Sequence, residues 1–478
     1  MSIYRNWIAG EWFAGNDVSE NVNPSDLNDI VGEYARADPR QVEVAIEAAA
    51  EARAGWREAG IMRRFEILDR AGSEILARKD ELGELLSREE GKTRVEGVGE
   101  VARAGNVFKW FAGEALRPGG ELIESVRPGL SVEVTREPVG VVGLITPWNF
   151  PIAIPAWKIA GALAYGNTVV FKPADSVPAS AWALTDILVR AGVPGGVFNL
   201  VMGRGSVVGE TIVNHRDVAA VSFTGSQEVG QRLASQLVGR LAKVQLEMGG
   251  KNPLIVLDDA ELDIAVEVAV QGAYYSTGQR CTASSRLIVT RGIHDAFVAG
   301  LTKRLERVRV GAALDPRTDI GPVAEAKQLR GNLDYVALGQ QEGAQLVRGG
   351  DLLERDRPGH FMNPALFVDA RNDMRIAREE IFGPVACVIQ AQDYDDAVAI
   401  ANDTPFGLSS GIVTTSLKHA SDFKRRSAAG MVMVNTPTAG VDFHVPFGGR
   451  KSSSYGPREQ GRYAAEFYTT TKTAYTAA

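Results

Sequence analysis

The run VVGLITPWNFP, Val141 to Pro151, joins a short β-rich segment to a loop of prolines and aromatics built around one asparagine. Four comparable runs follow it: TVVFK (168–172), VFNLV (197–201), AAVSF (219–223) and KVQLE (243–247). A helical stretch separates each from the next. Strands alternating with helices predict βαβ units and a parallel sheet covered by helices on both faces. Ligands of such sheets lie beyond the carboxyl ends of the strands, so the chemistry is expected in the loops that close these runs.

Working outward, the residues before this region carry helical patterns. Asp38-Pro39 supplies a cap and an N1 proline, and Val42, Ala45, Ile46 and Ala49 follow at helical spacing. Further helices are expected over 63–78, 79–90 and 95–116, making the first hundred residues mostly helical. GGELIESVRPGLSVEVTREPVG then alternates polar and apolar residues about Arg127-Pro128-Gly129, which predicts a β-hairpin. After MGGKNP, Met248 to Pro253, a second α/β block holds the strand candidates LIVL, RLIVT, ALFVD, VACVIQ and MVMVN.

Composition narrows the function classes. A chain of 478 residues with 45% hydrophobic content suits two or three globular domains, and a net charge of −7 argues against a nucleic-acid surface. Two cysteines form no disulfide framework, and the five histidines never stand at zinc-ligand spacing, so a reducing, cytoplasmic setting without a metal is expected. The long apolar stretch from Pro151 to Phe171 contains Lys158, Asn167 and two prolines; it reads as a buried helix and strand rather than a membrane span.

Cys387 sits in the apolar run PVACVIQ and fits an inert core thiol. Cys281 differs, since GQRCTA surrounds it with polar residues and places Arg280 directly before it. That guanidinium fits a solvated loop, a device that favours thiolate, or an anchor for an anionic substrate. Glu247 closes the strand KVQLE before Gly249-Gly250, a pair that lets a ligand approach the backbone. No histidine occupies a comparable strand-end motif, with His444 the remaining alternative as a base. Asn149 is a turn asparagine or an oxyanion donor. FTGSQEVG places Gly225 and Gly230 at a helix start after a strand, suited to a pyrophosphate, and KPAD places Lys172 and Asp175 where a ribose would lie.

Together TPWNFP, KPAD, FTGS, LEMGGKNP, GQRCTA, EEIFGP (379–384) and PFGGRKSS (446–453) resemble the aldehyde dehydrogenase superfamily, in its order, over essentially the whole chain. The resemblance implies an α/β fold with a Rossmann-like cofactor domain (1–117 and 138–247), an α/β catalytic domain (248–445), and a small β-hairpin oligomerisation element with bridging segments (118–137 and 446–478). It implies a homodimer or homotetramer. It implies Cys281 as nucleophile, Asn149 as oxyanion donor and Glu247 as the base for hydrolysis. NAD or NADP would be held by Thr146, Trp148, Lys172, Asp175, Gly205, Phe223, Gly225, Ser226, Glu380 and Phe382. A carboxylate at Asp175 would repel a 2′-phosphate and favour NAD.

The same resemblance places Arg103, Phe150, Trp157, Tyr275, Arg280 and Phe447 around the substrate. Two guanidiniums, Arg103 and Arg280, suit the far carboxylate of an anionic semialdehyde. The tail 435–469 looks like the group of α-ketoglutarate semialdehyde (2,5-dioxopentanoate) dehydrogenases, with Ser453 or Ser454 standing where the wider family commonly has glycine. Succinic semialdehyde, a broad aliphatic range, a CoA-acylating relative, a cysteine hydrolase and a non-catalytic binding protein are the alternatives. Retention of Cys281, Glu247 and Asn149 speaks against the last.

Overall fold

The strand runs that open at Val141 assemble as their spacing predicts. In the computed structural model, which describes residues 3–117 and 119–477, an eight-stranded sheet carries them at its centre. Its order is Ser454–Tyr455, Lys243–Met248, Val218–Gly225, Val141–Ile145, Thr168–Lys172, Phe198–Leu200, Asn6–Ile8, Glu11–Phe13. The five strands from 141 to 248 pair in parallel; only the flanking pairs are antiparallel. The chain winds outward from Val141–Ile145 to Phe198–Leu200, then returns to its other side with Val218–Gly225. That reversal opens a crevice at the carboxyl ends of these two strands, where TPWN and FTGS lie.

A second, seven-stranded sheet follows the order Gln345–Arg348, Ala365–Val368, Val385–Ala391, Arg286–Thr290, Pro253–Val256, Ser409–Val413, Met431–Val434. Ser409–Val413 and Gln345–Arg348 were not foreseen, because SSGIV and QLVR are short and lack strong alternation. The hairpin forms as expected from Gly120–Glu124 and Leu130–Pro138, and Thr469–Ala477 adds a third strand to it. Position 118 and the extreme ends of the expected segments, 1–2 and 478, lie outside the described residues.

One expectation needs correcting. The first hundred residues are not helical from the start: Asn6–Ile8, Glu11–Phe13, Asp17–Val22 and Ile30–Arg36 are strands. Helices begin at Pro39, where Asp38 and Gln41 form a reciprocal capping box. Trp7, Trp12, Tyr4 and Tyr34 explain the difference, since these aromatics stack across short strands at 4.8–5.0 Å between rings, some through Trp182.

The stretch 151–171 becomes the helix Ala153–Ala164 and the strand Thr168–Lys172, all fully buried except at the turn between them. Asn167 closes that turn, with its amide on Ala162 O and Tyr468 O and its Oδ1 accepting from Gly140 N. Among the described residues no helix is long and apolar enough to cross a membrane.

Candidate active site

The nucleophile loop is held from both sides. After the helix Leu262–Ala273, Ser276 and Thr277 adopt left-handed backbone with φ of 51° and 57°, a conformation that non-glycine residues rarely take. Glu96 overrides that strain by accepting from both Ser276 N (2.8 Å) and Ser276 Oγ (2.9 Å) through one oxygen. Its other oxygen closes a capping box with Thr93 at the start of the helix Arg94–Ala115. Beyond the cysteine, the Asn252 amide donates to Cys281 O at 2.7 Å and to Ala283 O at 3.0 Å. Asn252 belongs to MGGKNP, so the link between the two sheets also sets the cysteine backbone.

The Cys281 thiol is half-buried at the floor of a cavity of about 560 Å³. Burial pushes its pKa well up, and the carboxylates of Glu380 and Glu247 push further. The expectation that Arg280 favours thiolate is therefore corrected. Its guanidinium turns back onto Glu96 Oε1 (3.1 Å), Ser276 Oγ (2.7 Å) and Gln271 O, and braces the turn instead.

Asn149, beyond the carboxyl end of the first central strand, is buried and donates one Nδ2 hydrogen to Gln279 O at 2.9 Å. Among the described residues its second Nδ2 hydrogen has no partner, which leaves a donor beside the cysteine. The Asn149 backbone is fixed from behind, where Lys92 Nζ donates to its carbonyl at 2.6 Å and pairs with Glu100 at 2.7 Å. Glu100 in turn accepts from Ile152 N and Ala153 N. A buried ammonium with these partners is a compensated charge rather than an isolated one.

Glu247 is buried at the end of its strand, and its carboxyl pKa lies well above the usual range. Burial is the main cause and the charge of Glu459 the next. Glu459 is itself buried, ion-paired with Lys158 and hydrogen-bonded by Trp157 Nε1 (2.7 Å) and Ser222 Oγ (3.1 Å). Ser454 Oγ donates to Glu247 Oε2 at 2.5 Å.

The cavity brings together most of the residues singled out in the sequence. Cys281, Glu247 and Asn149 line it, with Arg103, Phe150, Trp157, Tyr275, Arg280 and Phe447 from the expected substrate set. Trp148, Gly225, Ser226, Glu380 and Phe382 line it from the expected cofactor set. His444 does not; it is exposed and lies against Trp110 and Phe443.

The geometry around the expected cofactor residues fits a dinucleotide. Ser226 caps the thirteen-residue helix Gln227–Gly239 without using its side chain, leaving hydroxyl and helix N–H groups for phosphate. Thr146 Oγ1 and Thr224 Oγ1 are buried without a hydrogen-bond partner among the described residues. Glu380 accepts from Gly250 N at 2.9 Å, and burial raises its pKa to about 7. A Cβ at Gly249 would come within 1.8 Å of Glu380 Oε2, so the glycine is needed for this approach.

Other expected cofactor residues do not line the cavity themselves. Lys172 Nζ donates to Pro173 O, and burial lowers its pKa to about 8. Phe223 belongs to the hydrophobic core with Leu246 and Met248, and Gly205 opens the π-helical turn Gly205–Gly209. Asp175 is not a free carboxylate: Arg36 binds both its oxygens, at 3.2 and 2.8 Å, and also reaches Asp17 at 3.2 Å. The repulsion expected of Asp175 toward a 2′-phosphate is thereby offset.

Arg103 and Arg280 do not form a matched pair. Arg103 is half-buried over the Trp157 ring at 5.6 Å, and its only hydrogen-bond partner among the described residues is neutral, Gln460 Oε1 at 3.1 Å. Its Nε has none. Sequence reasoning missed Gln460, Glu459, Ser454, Glu96, Lys92 and Asn252. One signal was readable, since a lysine inside an apolar helix, as at 158, requires a buried carboxylate partner.

A parallel sheet with its crevice at the switch point, and a cysteine, an asparagine amide and a strand-end glutamate converging on one cavity, define an acyl-forming cysteine enzyme. Residues 12–474 match the aldehyde dehydrogenase family, and the chain belongs to it. It is 43% identical to the alpha-ketoglutaric semialdehyde dehydrogenase of Bacillus subtilis, over 99% of this chain and 98% of the relative. It is 40% identical to the 2,5-dioxopentanoate dehydrogenase of Saccharolobus solfataricus, over 98% of each. Among solved structures, the betaine aldehyde dehydrogenase of Staphylococcus aureus in complex with NAD+ superposes with a TM-score of 0.97 at 32% identity, over 99% of this chain and 94% of that one. An NADP-dependent enzyme of Escherichia coli gives 0.96 at 35% identity, over 99% and 98%.

Proposed function

We propose that this aldehyde dehydrogenase oxidises 2,5-dioxopentanoate to 2-oxoglutarate with NAD or NADP. The observation that carries the substrate class is Arg103, a half-buried guanidinium lining the cavity whose hydrogen-bond partner is the neutral Gln460, with Glu100 and Asp442 near it but not hydrogen-bonded to it. A cation so placed favours an anionic group arriving with the substrate. The names of the two relatives support the same semialdehyde. Arg280, satisfied by Glu96, supports the loop rather than the substrate.

In the reaction, the Cys281 sulfur adds to the aldehyde carbon, and its proton, which burial holds more tightly than in a free thiol, passes to water in the cavity as the bond forms. The free Asn149 Nδ2 hydrogen and the Cys281 backbone N–H meet the oxyanion of the thiohemiacetal. Ser226, Trp148, Glu380 and Phe382 would hold a dinucleotide, which would accept the hydride lost from the thiohemiacetal carbon as that adduct becomes the Cys281 thioester. Glu247 then takes a proton from the water that cleaves the thioester.

The division of labour follows the chain, with 1–117 and 138–247 for the dinucleotide and 248–445 for catalysis. Segments 118–137 and 446–478 bridge, since Ser454–Tyr455 joins the large sheet and Thr469–Ala477 joins the hairpin. Exposed Leu122 and Ile123 on the hairpin edge support a homodimer or homotetramer, and two unpaired cysteines support a cytoplasmic setting.

The test compares 2,5-dioxopentanoate with pentanal, a neutral aldehyde of equal length. Arg103→Ala is expected to lower kcat/KM for the anionic substrate by about 10- to 100-fold and to leave pentanal nearly unchanged. An equal loss on both substrates rules out the anchor.

A further inference from the structure

We propose that Ser454 is a positioning residue for the general base: its hydroxyl orients one oxygen of Glu247 and sustains the ionised carboxylate, leaving the other oxygen to take the proton from water. This rests on the reading of Glu247 as the base.

The placement is built into the sheet. Strand Ser454–Tyr455 runs antiparallel to Lys243–Met248 with Ser454 directly opposite Glu247, so their side chains share a face at close range. The direction of the hydrogen bond is determined by counting protons. Gly449 N donates to Ser454 Oγ at 2.6 Å, and a serine hydroxyl has one hydrogen of its own, which goes to Glu247 Oε2 at 2.5 Å. A donor aimed at a carboxylate favours its charged form.

Glu247 needs that help. The groups facing it are the Glu459 carboxylate, Lys158 of the helix Ala153–Ala164, Arg458 and the Cys281 thiol. Lys158 is paired with Glu459, and the Arg458 guanidinium donates to Gly449 O, so neither cation hydrogen-bonds Glu247. Burial and the neighbouring Glu459 charge both disfavour ionisation, and Ser454 is the only side chain among the described residues that donates to this carboxylate. The second oxygen, Oε1, lies over Gly448, where a Cβ would stand 2.7 Å from it. The missing side chain keeps that oxygen approachable by water.

The motif makes sense in this light. A glycine at 454 would leave the base without the donor, and serine supplies it at a register position already opposite the base. A hydroxyl that merely caps Gly449 N–H would affect stability without moving the titration of the base, and this separates the two readings.

The experiment records the pH profile of kcat and the pre-steady-state burst of reduced dinucleotide for the wild type, Ser454→Ala, Ser454→Cys, Ser454→Thr and Glu247→Gln. Removing a donor to the charged form raises the carboxyl pKa. The acidic limb of kcat should therefore move up by about one pH unit in Ser454→Ala and in Ser454→Cys, whose thiol is a weak donor. The burst amplitude should persist, and Ser454→Thr should keep the wild-type limb. If Ser454→Ala misfolds, the near-isosteric Cys variant carries the test. A limb at the wild-type pH in the variants lacking the hydroxyl overturns the proposal, as does loss of the burst in a folded variant. Glu247→Gln separates the underlying reading: if it retains the wild-type limb and turnover, Glu247 is not the base and the role of Ser454 falls with it.

Discussion

Arg280 Nη2 lies 3.1 Å from Glu96 Oε1, so the guanidinium beside the nucleophile is bound to the helix cap that also holds Ser276. Its effect reaches the reaction through the shape of the turn. Arg280→Ala is expected to lower kcat by about tenfold on charged and neutral aldehydes alike, as misplacement of a nucleophile does. A selective loss on 2,5-dioxopentanoate in steady-state assays would return Arg280 to the substrate site.

The proposed mechanism makes Asn149 the side-chain donor to the oxyanion. Asn149→Ala should reduce kcat by about 10²- to 10³-fold, the scale for loss of one such donor, with little change in dinucleotide affinity. Fluorescence titration with the dinucleotide alongside rapid-quench kinetics checks both halves.

The thiol of Cys281 is raised first by burial and then by the charge of Glu380. Glu380→Gln removes that charge and should lower the thiol pKa, speeding alkylation by iodoacetamide at alkaline pH. Glu380 itself titrates at about 7, so the difference should fade below that pH, where the wild-type carboxyl is also neutral. Alkylation rates across pH decide it.

Arg36 offsets Asp175, and Arg36→Ala should expose that carboxylate to a 2′-phosphate. KM for NADP is then expected to rise by about tenfold while KM for NAD stays within about twofold. Initial rates with both dinucleotides measure the shift, and an equal change in both refutes the coupling.

Lys158 and Glu459 form a buried ion pair under the base. Lys158→Met leaves an uncompensated carboxylate and should cost about 3–5 kcal/mol in denaturant unfolding, partly recovered in the double variant with Glu459→Gln. Additive losses would show that the pair is not coupled.

The sequence by itself determined the parallel sheet and the hairpin, and it pointed to Cys281, Asn149 and Glu247 as candidates, because these rest on local signals. Short β-rich runs ending in Thr146-Pro147, Gly225-Ser226 or Gly249-Gly250 mark strand ends, and polar residues around Cys281 mark an accessible thiol. The strands of 6–36 escaped because they are short and weakly alternating, and they are held by pairing with one another and by aromatic packing that reaches Trp182. What only the tertiary structure decided is which partner each charge has. Arg103 and Arg280 look alike in sequence, yet one meets a neutral amide 357 positions away and the other meets Glu96. Ser454 lies opposite Glu247 because a strand returns to the sheet edge after more than two hundred residues. Burial and partner geometry set the charge state and direction of each of these groups, and both are properties of chain segments brought together by folding.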